Sequence, residues 1–200
     1  MDKARVLALR DVLAGTTWAE RTRSLGRALR RAPHDKGGLL VVGTPTEDPW
    51  HFAAHLDDEA RWSHQPNLTP TLIRWSPPPD APAHLSISVE RLERVRRNET
   101  VFVVAPENPT APLLERVADA RKAGATVFAM DTGDSDLQSL AHESLVVPAS
   151  AGEGLVVPEF ELMTHLVSAA AGENEDWPKS LLGGMRSKLA RLLDAVGDHD

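Results

Sequence analysis

Cysteine is absent from all 200 residues, which excludes a disulfide framework, a thiolate metal site and a cysteine nucleophile, and is compatible with a reducing cytosol. No apolar run reaches the length of a membrane span, and the N-terminal MDKARVLALRDVLAG carries acidic residues where a secretory signal would be apolar. A cytoplasmic, membrane-free protein is expected. GxSxG, Walker-type and GxGxxG motifs are all missing, so serine hydrolase, P-loop and dinucleotide-binding functions lack their signatures. A net charge of −7 argues against nucleic acid as a partner, because a phosphate backbone demands a basic surface. The arginines that do cluster, Arg21, Arg23, Arg27, Arg30 and Arg31, read as the solvated face of a first helix. No internal repeat or low-complexity segment stands out.

What is present is a 42% apolar chain whose short apolar runs alternate with helical patterns. The clearest unit is VFVVAPENPTAPLLERVADARKAGATVFAMD, Val101 to Asp131. Val101 to Val104 and Val127 to Met130 are continuous apolar runs of the kind a strand buried on both faces requires. Between them, Leu113, Leu114, Val117 and Ala118 supply a helical apolar face, and Gly124 stops the helix. Such a unit is a right-handed parallel crossover, and ligands of parallel sheets bind at the carboxyl ends of the strands, here the turn Ala105 to Thr110.

Similar readings place a first strand over Leu39 to Val42 ending at Gly43, and a helix from about Pro49 to Trp62 with Asp48 as its cap. A strand follows over Leu72 to Trp75, then a helix around Ser88 to Arg97, a short helix near Ser135 to His142, a strand over Leu145 to Val147 and a helix over 158–171. The expected fold is therefore α/β, a three-layer α/β/α sandwich on a five-stranded parallel sheet of order 2-1-3-4-5. Residues 1–35 read as an N-terminal helical arm, 36–173 as the α/β domain, and 174–200 as an amphipathic C-terminal helix.

His51 and His55 are four apart on the second helix and share one face, with the reach to share a metal ion, although a solvated helix face carries the same spacing. Asp131 and Thr132 fall on the ligand edge of the sheet, where an aspartate also serves as a helix cap. Trp50, Trp62 and Trp75 suit a pocket lining or the core. His64, His84, His142 and His199 follow no pattern and read as solvated.

From Leu39 to Glu173 the chain resembles the sugar isomerase (SIS) domain family, and within it the phosphoheptose isomerase branch. The unit from Val101 to Thr132 matches the family's strand, phosphate loop, helix and strand, and SDLQSLAHESLVVP its short helix and final strand. HFAAHL, His51 to Leu56, and HLVSAAAGE, His165 to Glu173, look like its two active-site helices. The resemblance implies a sugar phosphate or related carbohydrate derivative as ligand, a homodimer or homotetramer, and an aldose–ketose isomerase. It brings His165 beside His51 and His55 and implies zinc as cofactor, held by His51, His55 and His165 with Glu161 as a further ligand, and His55 and His165 as the catalytic pair.

Substrate contacts are implied at Gly43, Thr44 and Thr46 of the first loop, at Glu107, Asn108 and Thr110 of the second, and at Asp131. Departures from the family fall in those loops and outside them. His55 replaces a glutamate, Val157 a glutamine, and Glu107, Asn108 and Pro109 stand where hydroxyl and glycine residues cradle phosphate. A carboxylate 4 Å from a phosphate charge repels it by roughly 4 kcal/mol per charge pair at an effective dielectric of about 20. Two prolines also remove amide donors. The alternative function is thus a non-catalytic sensor or assembly protein that has lost the phosphate site, and a further one has the acidic loops hold a cation.

Overall fold

The computed structural model describes residues 17–32, 35–149 and 157–173. The first part of the helical arm expected over 1–35, the amphipathic helix expected over 174–200 and His199 lie outside them. The elements run α1 Trp18–Arg31, β1 Leu39–Gly43, α2 Trp50–Trp62, β2 Pro70–Ile73, β3 Thr100–Ala105, α3 Ala111–Lys122, β4 Thr126–Asp131, α4 Ser135–Leu140, β5 Glu143–Val146 and α5 Phe160–Gly172. All strand pairs are parallel, in the order β2-β1-β3-β4-β5. Among the described residues no helix is long and apolar enough to cross a membrane.

Alternation along the strands sends their apolar side chains to both faces, as a doubly covered sheet needs. Leu39, Val41, Phe102, Val104, Phe128 and Met130 face one buried cluster with α1, α2 and α5. Leu40, Val42, Val101, Val103, Val127 and Ala129 face the other, with α3 and α4. A row of aromatic rings fixes α2 on the first face: Phe52 lies 4.8 Å from Phe102, which stacks at 6.1 Å on Phe128. Helices α1 and α5 meet at Gly26, where a Cβ would come within 2.6 Å of the Ala170 Cβ and 2.8 Å of the Ala171 nitrogen. Only a glycine lets the two backbones approach that closely.

Several boundaries differ from expectation, each for a local reason. The helix expected at Ser88 to Arg97 is a 3₁₀ helix, Val89–Arg94. Its buried residues Val89 and Leu92, and Val95 just beyond its end, recur every three positions, which is the 3₁₀ repeat. Strand β2 begins at Pro70 and ends at Ile73, because Trp75 turns away and donates its indole N–H to the Gly43 carbonyl at 2.9 Å. Strand β5 is likewise shifted, to Glu143–Val146. Asp48 makes no cap on α2; Pro49 holds that position, and Asp48 pairs with Arg74 Nε at 3.1 Å.

Candidate functional site

Helix α2 buries Phe52, Leu56 and Ala60 along one stripe, and α5 buries Met163, Leu166, Val167 and Ala170 along another. With those stripes against the sheet, the residues one step around each helix meet at the rim. On α2 these are His51 and His55; on α5 they are Glu161 and His165, one turn apart. His51 Nδ1 lies 3.0 Å from Glu161 Oε1. The ring of His165 meets that of His55 at 4.2 Å and that of His51 at 5.5 Å, both edge-on. Four of the residues singled out by spacing and resemblance therefore converge. One ligand atom each from His51, Glu161 and His165 fall within 4.8 Å of one another, a group that could hold a metal ion; His55 stands beside it.

Burial lowers the pKa of His55, reinforced by the charge of His51 and opposed by Asp58 and Glu161. His165 is lowered in the same way, first by burial and then by His55 and His51, against Glu161. Both imidazoles are thus neutral at pH 7, the state that offers a lone pair to a metal or a proton.

These shifts carry a stability consequence. A histidine whose folded pKa is depressed contributes fully above its unfolded value near 6.5, and the contribution is lost as pH falls through the lowered folded values. Glu47 has the opposite sign: its pKa is raised, so its contribution is present below about 4.5 and fades as pH rises through the folded value. With chelator present, melting temperature should fall between pH 7.5 and 5.5, and a His55→Gln, His165→Gln chain should lose most of that fall. Equal falls in both proteins would sink the assignment.

The substrate-contact residues divide. Thr44, buried, and Thr46 exchange a hydroxyl contact at 3.1 Å, and Thr46 donates to Glu107 Oε2 at 2.8 Å, tying the loop after β1 to the loop after β3. Gly43 underlies the first loop. Asn108 is exposed. Thr110 precedes α3, where its carbonyl accepts the Leu113 and Leu114 amides and its side chain makes no cap.

Asp131 lies on the α3 and α4 side of the sheet, the face away from the histidines, as the alternation along β4 dictates. Its buried carboxylate accepts from the Gly133 and Asp134 amides at 2.6 and 2.9 Å and from Gln138 at 3.3 Å. It therefore braces the turn into α4, whose cap is Asp134.

Four further residues take their places only in the structure. Trp50, 54% exposed, is not core; its ring stacks on His51 at 4.4 Å. Trp62 is also exposed, at 68%. Glu47 is raised by burial and then by the charges of Asp48, Glu107 and Glu161, so four carboxylates share this edge. His142, expected to be solvated, is exposed yet accepts the Val127 amide through Nδ1 at 2.9 Å. Beside the site, a cavity of about 320 Å³ is walled by Pro106, Thr132, Val147, Val157, Pro158 and Phe160 among others.

No protein-family model and no curated protein matches the chain. Solved structures resemble it. The sugar isomerase domain of the RpiR transcription factor from Sphaerobacter thermophilus has a TM-score of 0.54 at 14% identity, over 94% of this chain and 97% of that one. A candidate sugar-binding protein of Salmonella typhimurium LT2 scores 0.56 at 18% identity, over 96% of this chain and 53% of that one. The NanR protein of Vibrio vulnificus, solved in complex with ManNAc-6P, scores 0.50 at 16% identity, over 97% of this chain and 66% of that one. This chain thus spans only part of the length of the last two. Identities this low carry the fold alone, and the five-stranded parallel sheet in the order 2-1-3-4-5 is shared with a sugar isomerase domain.

Proposed function

We propose that the chain binds a small carbohydrate derivative at the carboxyl edge of its sheet, with a divalent cation, zinc by donor type, at His51, Glu161 and His165. The observation that carries this is the convergence of two imidazoles and a carboxylate within 4.8 Å at the edge where parallel sheets bind ligands. Two histidines and a carboxylate are a donor set that zinc accepts with a position left open. When bound, the cation would supply Lewis acidity toward a sugar carbonyl or hydroxyl. His55, beside the cation set and neutral because it is half-buried, has the lone pair to move a proton between carbons 1 and 2 of an aldose. Trp50 offers an exposed aromatic face next to His51 of the kind that packs on the apolar side of a sugar ring.

A second reading keeps the binding and removes the chemistry. It is favoured by the transcription factor among the structural neighbours and by Glu107 in the loop after β3. One measurement separates them. In a zinc-containing thermal-shift panel of phosphorylated and unphosphorylated sugars, a true ligand at about a hundredfold its Kd adds about 2.7 kcal/mol, or roughly 5–10 °C for a chain of this size. A hit that is also isomerised supports the enzyme, and a hit left unchanged supports the sensor. A flat response to the whole panel would falsify carbohydrate binding.

A further inference from the structure

We infer that Glu107 sets the charge class of the ligand, holding the loop hydroxyls with its own carboxylate and so excluding phosphate. The identity of the ligand as a carbohydrate rests on the reading above; the exclusion of phosphate does not.

A phosphate at the edge of a parallel sheet is ordinarily held by amides at a helix N-terminus and by loop hydroxyls. Several of these donors are withdrawn here. Pro106, Pro109 and Pro112 bring no amide hydrogen to the β3–α3 junction, and the Leu113 and Leu114 amides donate to Thr110. The Thr46 hydroxyl donates to Glu107 Oε2 at 2.8 Å and contacts Thr44 Oγ1 at 3.1 Å, so the hydroxyl pair already serves an anion belonging to the chain. Neighbouring carboxylates deepen the effect. Asp48 faces Arg74 and Glu161 faces His51, whereas Glu107 meets a neutral hydroxyl. The raised pKa of Glu47, to which Glu107 and Glu161 both contribute, records how closely these carboxylates crowd one edge. An incoming phosphate would have to displace Glu107 from Thr46 and then remain beside it.

The test uses the full chain without metal and inorganic phosphate as the probe, read by calorimetric titration. Wild type should bind phosphate at least about tenfold more weakly than Glu107→Gln or Glu107→Ser, the order expected when a like charge at a hydrogen-bonding site is removed. Adding Thr46→Val to Glu107→Ser should reverse the gain. Wild type binding phosphate as well as the variants, no gain in either variant, or a gain that survives Thr46→Val would each overturn the proposal. Failure of the carbohydrate reading shows separately, as a flat response of wild type to the whole sugar panel, and leaves the phosphate result standing.

Discussion

A His165→Ala chain should bind zinc at least about a hundredfold more weakly than wild type, which should hold one ion per chain; a hundredfold is about 2.7 kcal/mol. The size follows from the geometry of the rim. His51 and Glu161 are largely exposed, at 48% and 68% of their side chains, and already satisfy each other at 3.0 Å. By themselves they are a surface pair of small energetic weight. His165, half-buried and held on α5 by the packing of Leu166 and Val167 beneath it, adds the donor that raises the pair to a set of three. Because burial keeps its imidazole neutral, no proton has to leave it when a cation binds at pH 7.

Two companion substitutions give the result its meaning. His55→Ala should weaken zinc much less, since His55 stands outside the group of three. His142→Ala should leave zinc binding unchanged, since that ring takes the Val127 amide on another part of the surface. Zinc content after dialysis, followed by competition with a chromogenic chelator, reads all four proteins. A wild-type chain without stoichiometric zinc, or a His165→Ala chain with wild-type affinity, removes the metal from the proposed function.

The convergence behind this prediction is half legible in the chain. Spacing alone puts His51 and His55 on one helix face, but His165 lies far along the sequence on another helix, and only a family resemblance brings it to the same place. The sheet order can be read because β1, β3 and β4 are buried along almost their whole length, and a short continuous apolar run between turns suits a strand covered on both faces. Where one face is solvated or a helix is short, the pattern blurs. Val89, Leu92 and Val95 fit the apolar stripe of an α-helix as well as the 3₁₀ helix that ends at Arg94.

The bond from Thr46 to Glu107 joins residues 61 apart and leaves no trace in either local pattern. Trp50 misleads in a different way. A large aromatic defaults to the core, and only the placement of Phe52 and Leu56 underneath α2 shows that Trp50 and His51 must point outward.

Gly43→Ala should destabilise the chain by about 3 kcal/mol, the upper range for forced overpacking, and lower its melting temperature by roughly 6–12 °C. Gly43 ends β1, pairs with Val104 of β3, and its carbonyl accepts the Trp75 indole. The chain then folds back over it, so that an added Cβ would collide with the Glu47 carbonyl oxygen and lie 2.8 Å from Pro49 Cδ. A backbone oxygen and a proline ring cannot rotate aside as a long side chain can. The loop must therefore lift as a unit. Lifting it displaces the buried Thr44, draws Thr46 from Glu107, and shifts the first turn of α2, which carries Trp50 and His51.

Gly38→Ala is the fitting comparison, since its Cβ would meet the Asp35 carbonyl at 3.1 Å, a contact that a small movement relieves. Its effect should stay below about 1 kcal/mol. If Gly43→Ala proves as mild as Gly38→Ala by urea denaturation, the loop is more pliable than its contacts imply. The positions of Thr46 and His51 would then no longer be fixed by the end of β1, and the rigidity on which both the cation site and the Glu107 contact depend would have to come from α2 and α5 alone.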